Sequence, residues 1–287
     1  MSKVPWRDRS GHFSALKTTV LVLLPLPAVV AVVQWMSGAF SGHATDFLLL
    51  VSGFWSDRLL VVTLAVTPAA SLFAFPRLPL VRRMIGLAAG AYALAHLGVY
   101  GVQQNFAWAF MGVQMLTVPV LIIGLASLLG LAVLAATSTD GWVRRLGKAW
   151  KRVHWLAHPA TVLALLHSFM EAKAGVDLAA TYAGFYLWLV LWRRLPRARR
   201  RHLPTLLMLV PAAAIGTALI EFGWYALGTS LPAGRILAAN LSLGAGLRPA
   251  HWVVLAALAV VAAVALHRFA SRMRRPALHL SPGEMPR

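Results

Sequence analysis

The chain contains no cysteine. This excludes disulfides, iron–sulfur clusters and a covalently attached c-type heme, which needs C-x-x-C-H. Charge is also scarce: 12% of the 287 residues are charged, against roughly 25% in a soluble domain. Acid is scarcer still, with 8 Asp and Glu beside 27 Lys and Arg. No stretch is long or polar enough for a separate soluble domain. A built-in nucleotide or flavin domain, which needs a βαβ region with a glycine-rich turn, is not expected.

Apolar residues make up 59% of the chain, and long apolar runs recur along it. The expectation is an all-α membrane protein, a bundle of about eight transmembrane helices. The spans are read at 18–36, 58–75, 84–101, 116–137, 154–171, 178–195, 204–227 and 250–268. Each is near the ~20 residues that cross a ~30 Å core. The first run resembles a signal peptide, with Lys3, Arg7, Arg9 and Lys17 ahead of it. No small-residue cleavage site follows its long run, so it is read as a helix.

A net charge of +19 on a soluble protein would suggest nucleic acid. Here the cations lie between apolar runs, which points to topology and anionic lipid; no nucleic-acid partner is expected. Alternate connections collect all 27 Lys and Arg except Arg58, Lys173, Arg235 and Arg248. The positive-inside rule then places both termini in the cytoplasm. The same basic face suits an acidic soluble partner.

Three histidines fall inside these apolar segments: His96, His154 and His167. An imidazole in hydrocarbon is costly and usually faces the protein interior. His96 lies thirteen residues beyond Arg83, and His167 thirteen beyond His154. At 1.5 Å per residue, both sit about 20 Å from the basic side. They share a level in the outer half and could ligate one heme between facing helices. His154 lies at the inner level, where a second heme could bind. A lone membrane histidine is more often a helix–helix hydrogen bond; two at one depth on neighbouring spans favour a ligand pair.

Two points resist. On an ideal helix, thirteen residues leave His154 and His167 about 140° apart, although Pro159 lies between them. The inner level also lacks a second ligand. Arg83 stands at the matching position and cannot ligate, and His158 lies on the same helix as His154. Tyr92 and Tyr100 flank His96 by one helical turn and are candidates for propionate contact or a quinone pocket. Asp57–Arg58 reads as a local pair at the outer end of the second span. Glu221, an intramembrane carboxylate, is a candidate for quinol protons or an interface residue. His43 and His251 lie on the outer side; His12, His202, His267 and His279 lie near basic ends.

Several segments carry a resemblance to a known family. They are LAVTP at 64–68, RRMIGL at 82–87, YALAHLGVY at 92–100, ATSTD at 136–140, RLGKAWKRVH at 145–154, His167, and YAG at 182–184. In order and spacing, residues 50–195 resemble the ferric-reductase-like transmembrane domain. Within it they are most similar to the heme-binding membrane subunits of bacterial periplasmic methionine sulfoxide reductase systems. The resemblance implies a six-helix ferric-reductase-like core over 1–200. Two additional helices and a basic tail follow over 201–287. It also implies heme-ligand roles for His96, His154 and His167. Departures are the two extra helices and the single histidine on the third span.

The implied activity is membrane electron transfer through b-type heme, one or two per chain, with FMN or a quinone as a further candidate cofactor. Electrons would come from a cytosolic flavin reductase or a membrane quinol. They would leave to a periplasmic acceptor such as a molybdenum-containing methionine sulfoxide reductase. The alternatives are a stand-alone heme-containing ferric or quinone reductase and, from another class, a proton-coupled transporter. Such a protein would reside in the bacterial inner membrane.

Overall fold

The computed structural model describes residues 6–7, 11–38, 44–173, 175–244 and 246–273. These residues form helices and no strand, with one isolated bridge between Arg7 and Phe13. In chain order the helices are α1 (Ala15–Leu23), α2 (Leu26–Met36), α3 (Ala44–Leu72) and α4 (Pro79–Gln103). Next come α5 (Trp108–Thr117), α6 (Pro119–Ala136), α7 (Asp140–Leu146), α8 (Ala149–His154) and α9 (Ala157–Ala172). The last are α10 (Asp177–Arg194), α11 (Leu203–Gly228), α12 (Ala233–Leu241) and α13 (Pro249–Met273). His43 and His279 lie outside the described residues.

Every expected span is matched by helix, but not every helix has the expected limits. Among the described residues, six segments are long and apolar enough to cross a membrane: 15–36, 44–72, 79–103, 119–136, 203–228 and 249–273. α9 has only 16 residues. α10 has 18 but carries Asp177, Arg193 and Arg194. The second span begins at Ala44 rather than residue 58. Its polar residues Ser52, Ser56 and Asp57 are buried against other helices, so they do not end the membrane segment.

The bundle turns its apolar surface outward. Leu94, Leu129, Met208 and Leu266 are all more than half exposed, as expected where lipid is the solvent. Inside, three packed cores run along the bundle. One joins α3, α4, α6 and α9 through Leu59, Val81, Ala89, Leu131 and Ala160. A second joins α3, α9, α10 and α11 through Val61, Leu165, Ala180 and Tyr225. A third joins the ends of α3, α10, α11 and α13 through Leu72, Trp192, Leu206 and Val264.

Proline breaks in the helices are repaired by side chains. Pro68 has no N–H to give the Leu64 carbonyl one turn earlier. Arg193 of α10 donates to that carbonyl instead, at 2.5 Å. This explains the LAVTP segment as a joint between α3 and α10. Pro25 and Pro27 interrupt the first span between α1 and α2. There the Tyr92 hydroxyl donates to the Leu24 carbonyl at 2.9 Å and accepts from the Ala28 amide at 3.1 Å. Unpaired backbone groups are costly in hydrocarbon, so one tyrosine satisfies both sides of the break.

Charge divides the bundle into two ends. Arg82, Arg83, Arg193, Arg200 and Arg268 cluster at one end, tied by Arg83–Asp140 and by Arg268 donating to the Arg201 carbonyl. Five of the 8 acids, Asp46, Asp57, Glu171, Asp177 and Glu221, fall on helix segments toward the opposite end. There Glu221 is fully buried, with Asn240 donating to it at 2.7 Å and Arg248 paired to it. Arg248 also pairs with Asp177 at 2.8 Å. The expected interface exposure of Glu221 gives way to an ion-pair cluster that fastens α12 and α13 to α10 and α11.

Candidate functional site

α3 and α4 form one antiparallel pair, and α6 and α9 form another. Each pair holds a histidine in the same manner. His96 of α4 places Nδ1 2.9 Å from the Leu49 carbonyl of α3. His167 of α9 places Nδ1 2.9 Å from the Val120 carbonyl of α6. One turn beyond each carbonyl stands a glycine, Gly53 or Gly124. A side chain there would collide with the ring. A Cβ on Gly53 would sit 3.1 Å from His96 Nδ1, and one on Gly124 2.9 Å from His167 Nδ1. Glycine thus opens the carbonyl to the imidazole.

The likeness continues along the helices. Ser56 donates to the Ala89 carbonyl at 3.1 Å, and Ser127 to the Ala160 carbonyl at 3.0 Å. Leu49 and Val120, Gly53 and Gly124, Ser56 and Ser127, Ala89 and Ala160, and His96 and His167 are all 71 positions apart. The two pairs are a structural repeat running in one direction, and their histidines meet across it. The ring centroids are 6.0 Å apart at 89°.

A carbonyl oxygen only accepts, so each Nδ1 carries the ring proton. That leaves each Nε2 with a lone pair. Fixing a ligating imidazole through Nδ1–H on a backbone carbonyl is the usual way to orient it toward a metal. Both rings line a cavity of about 700 Å3 between α3, α4, α6 and α9. That volume is within the range of small-molecule and cofactor pockets. Its wall is mainly apolar, with Ser56, Asp57, Ser127 and Ser168 as polar points. Asp46, Tyr100, Gln103 and Glu171 stand toward its mouth at the less basic end. Gln103 donates to Asp46 at 2.5 Å, and Tyr100 donates to Gln114 of α5.

The other expected site residues lie elsewhere. His154 ends α8 and is not in the cavity wall. Its ring stacks on Trp150, with centroids 3.8 Å apart, and Nε2 lies 3.3 Å from Ser138 Oγ. Its Nδ1 is buried without a well-formed hydrogen bond, though the Trp150 backbone is within electrostatic reach. The chain turns between His154 and Ala157, so α8 and α9 are separate helices and the 140° angle of an ideal helix does not apply. His158 Nδ1 lies 3.2 Å from the Tyr186 hydroxyl. Arg83 points to Asp140 at 2.8 Å and is half exposed. Tyr92 is committed to the α1–α2 break rather than to the cavity. The expected Asp57–Arg58 pair does not form. Arg58 donates to Tyr182 and lies over Trp55, whereas Asp57 accepts from Ser168 at 2.5 Å.

Ser168, Gly53, Gly124 and the two carbonyls are parts of the site that the sequence did not single out, and Asp57 was expected only as the partner of Arg58. Aligning the chain on itself at an offset of 71 would have shown the glycine, serine and histidine matches.

The model of the family described as ferric reductase like transmembrane component matches residues 52–165. Among curated proteins, the chain is similar to the protein-methionine-sulfoxide reductase heme-binding subunit MsrQ of Caulobacter vibrioides. They are 35% identical over 192 residues, 64% of this chain and 91% of the relative. The MsrQ subunit of Rhodospirillum rubrum is 35% identical over 197 residues, 68% of this chain and 92% of the relative. That of Xanthomonas oryzae pv. oryzae is 40% identical over 143 residues, 50% of this chain and 66% of the relative. No solved structure matches the chain.

Proposed function

Because the chain belongs to the ferric-reductase-like family of MsrQ heme-binding subunits, we propose that it is a membrane electron-transfer subunit. In this reading it carries b-type heme between His96 and His167. One observation carries it: two imidazoles, each pinned through Nδ1 to a backbone carbonyl, leave both Nε2 lone pairs free across a cofactor-sized cavity. The donor set suits heme iron, and the glycines Gly53 and Gly124 are the room the rings need. Bound heme supplies one-electron chemistry; the protein sets ligands, burial and access.

His154 is the proposed ligand of a second heme at the basic end. Its buried, poorly satisfied Nδ1 supports that role. The positive-inside rule puts the basic end in the cytoplasm of a bacterial cell, with the protein in the inner membrane. Arg144, Arg145, Lys148, Lys151 and Arg152 lie in and beside α7 and α8, next to His154. This surface suits an acidic flavin reductase or the anionic face of a reduced flavin such as FMN; a membrane quinol is the other donor. Electrons leave at the cavity mouth to a periplasmic acceptor, by likeness to the relatives a methionine sulfoxide reductase.

The test is a visible spectrum of protein purified after heme-replete expression. A reducible Soret band with bis-imidazole character is expected. Its absence from the wild-type protein overturns the heme reading. Mixing reduced protein with a periplasmic sulfoxide reductase should then reoxidise it; no reoxidation would leave the acceptor to be found among other periplasmic reductases.

A further inference from the structure

We propose that Asp57 takes up one proton when the iron between His96 and His167 takes one electron. This rests on the heme reading above. It assigns to a residue outside the ligand set the task of coupling proton movement to electron transfer.

The geometry isolates Asp57. It stands on α3 one turn after Gly53, is 3% exposed, and lines the same cavity as both histidines. Its hydrogen bond comes from the hydroxyl of Ser168, the residue after His167, at 2.5 Å to Oδ2. No cation reaches it. Arg58 is turned to Tyr182 and Trp55, and the three ion pairs among the described residues are Arg83–Asp140, Arg248–Asp177 and Arg248–Glu221.

α3 adds Asp46 at the mouth, α4 adds His96 and Tyr100, and α9 adds His167 and Glu171. α10 adds Tyr182, whose hydroxyl is taken by Arg58, and Asp177, which is paired with Arg248. α6 contributes only Gly124, Ser127 and apolar residues to this wall. Apart from the two imidazoles, nothing in the cavity can offset negative charge.

An unpaired carboxylate in an apolar wall is costly. Charges in one low-dielectric cavity also interact far more strongly than in water. An added electron therefore raises the cost of a carboxylate beside it, and a proton on Asp57 keeps the cavity charge constant. Ser168 can donate to Oδ2 in both states, so the proton belongs on Oδ1. The electron comes from the reduced flavin or quinol donor at the basic end, and the proton from water at the mouth near Asp46 and Glu171. On reoxidation by the acceptor, electron and proton leave together. That matches an acceptor class whose reduction consumes one proton per electron, as when a sulfoxide oxygen is removed as water.

The test is an optical redox titration of the heme-loaded protein over a series of pH values. In the wild type, the ratio of reduced to oxidised heme at fixed potential should change tenfold per pH unit over part of the series. For a one-electron couple that is 59 mV per unit. Asp57→Asn, which keeps shape and the Ser168 contact, should flatten this slope while leaving the Soret band in place. A reduced-minus-oxidised infrared difference spectrum should show the carbonyl band of a protonated carboxyl in the wild type and not in Asp57→Asn. Ser168→Ala should shift the pH range of the slope without removing it. Equal slopes in wild type and Asp57→Asn, or a wild-type potential independent of pH, overturn the proposal while the heme reading stands. A wild type with no Soret band removes the heme reading itself.

Discussion

The α3–α4 pair and the α6–α9 pair hold His96 and His167 by matching contacts, and they part company at the basic end. There the position matching His154 is Arg83, again 71 residues earlier. Arg83 turns outward to Asp140, whereas His154 is tucked against Trp150 and Ser138. The connections differ too. α3 and α4 are joined by a short turn, but α6 and α9 are separated by α7 and α8 with their cluster of cations. The symmetric end suits an iron with two imidazole ligands. The asymmetric end has one imidazole and a charged surface, which suits an entry point for electrons from a soluble donor.

The largest effects are expected at the matched histidines. His96→Ala and His167→Ala should each abolish the shared low-spin heme, read as loss of that Soret component. His154→Ala should remove only the signal from the basic end. Equal heme content in all three variants would refute the ligand assignment.

The glycines come next. Gly124→Ala and Gly53→Ala should each lower heme affinity by roughly 10–100-fold, as changes to groups that orient a ligand do. Gly124→Ala should be the worse of the two, because its Cβ would lie 2.9 Å from the ring against 3.1 Å at Gly53. Heme titration of the apoprotein measures the order, and a reversed order would show that the halves relax differently.

A smaller effect is expected from salt. Electron transfer from an acidic flavoprotein to the basic end should slow as ionic strength rises. A stopped-flow rate that does not change with salt would argue for a quinol donor. The smallest effect concerns the matched serines. Ser127→Ala and Ser56→Ala each remove one interhelical hydrogen bond, worth about 0.6 kcal/mol in a membrane bundle. Similar small losses of thermal stability with intact heme spectra are expected, and a large loss at one serine alone would break the equivalence of the two pairs.

Much of this was legible in the order of residues. Apolar runs and alternating cations located the spans, because a bilayer demands long apolar helices and biases Lys and Arg to one side. The common depth of His96 and His167 followed from counting residues at constant rise. The misreadings share a physical cause. Asp57 and Arg58 looked like the polar end of a span, yet α3 runs fourteen residues further because neighbouring helices bury its polar groups. Tyr92 sits one turn from His96, but helical proximity does not say that its hydroxyl serves a proline break 64 residues away. His154 and His167 seemed to share one helix, and a turn after residue 154 separates them.

Composition, charge order and the spacing of three histidines were enough to establish a helical membrane protein with two imidazoles at one level. These properties are local or one-dimensional: hydropathy along a helix, charge at its ends, rise per residue. The partners of those imidazoles were decided only by the folded bundle. Nδ1 meets carbonyls of helices 47 residues distant, through gaps left by Gly53 and Gly124. Asp57 became a member of the cavity in the same way, by packing between helices that no period along the chain encodes. A backbone carbonyl has no signature in the amino-acid order, so which nitrogen it holds, and which is left free, emerges only when helices meet.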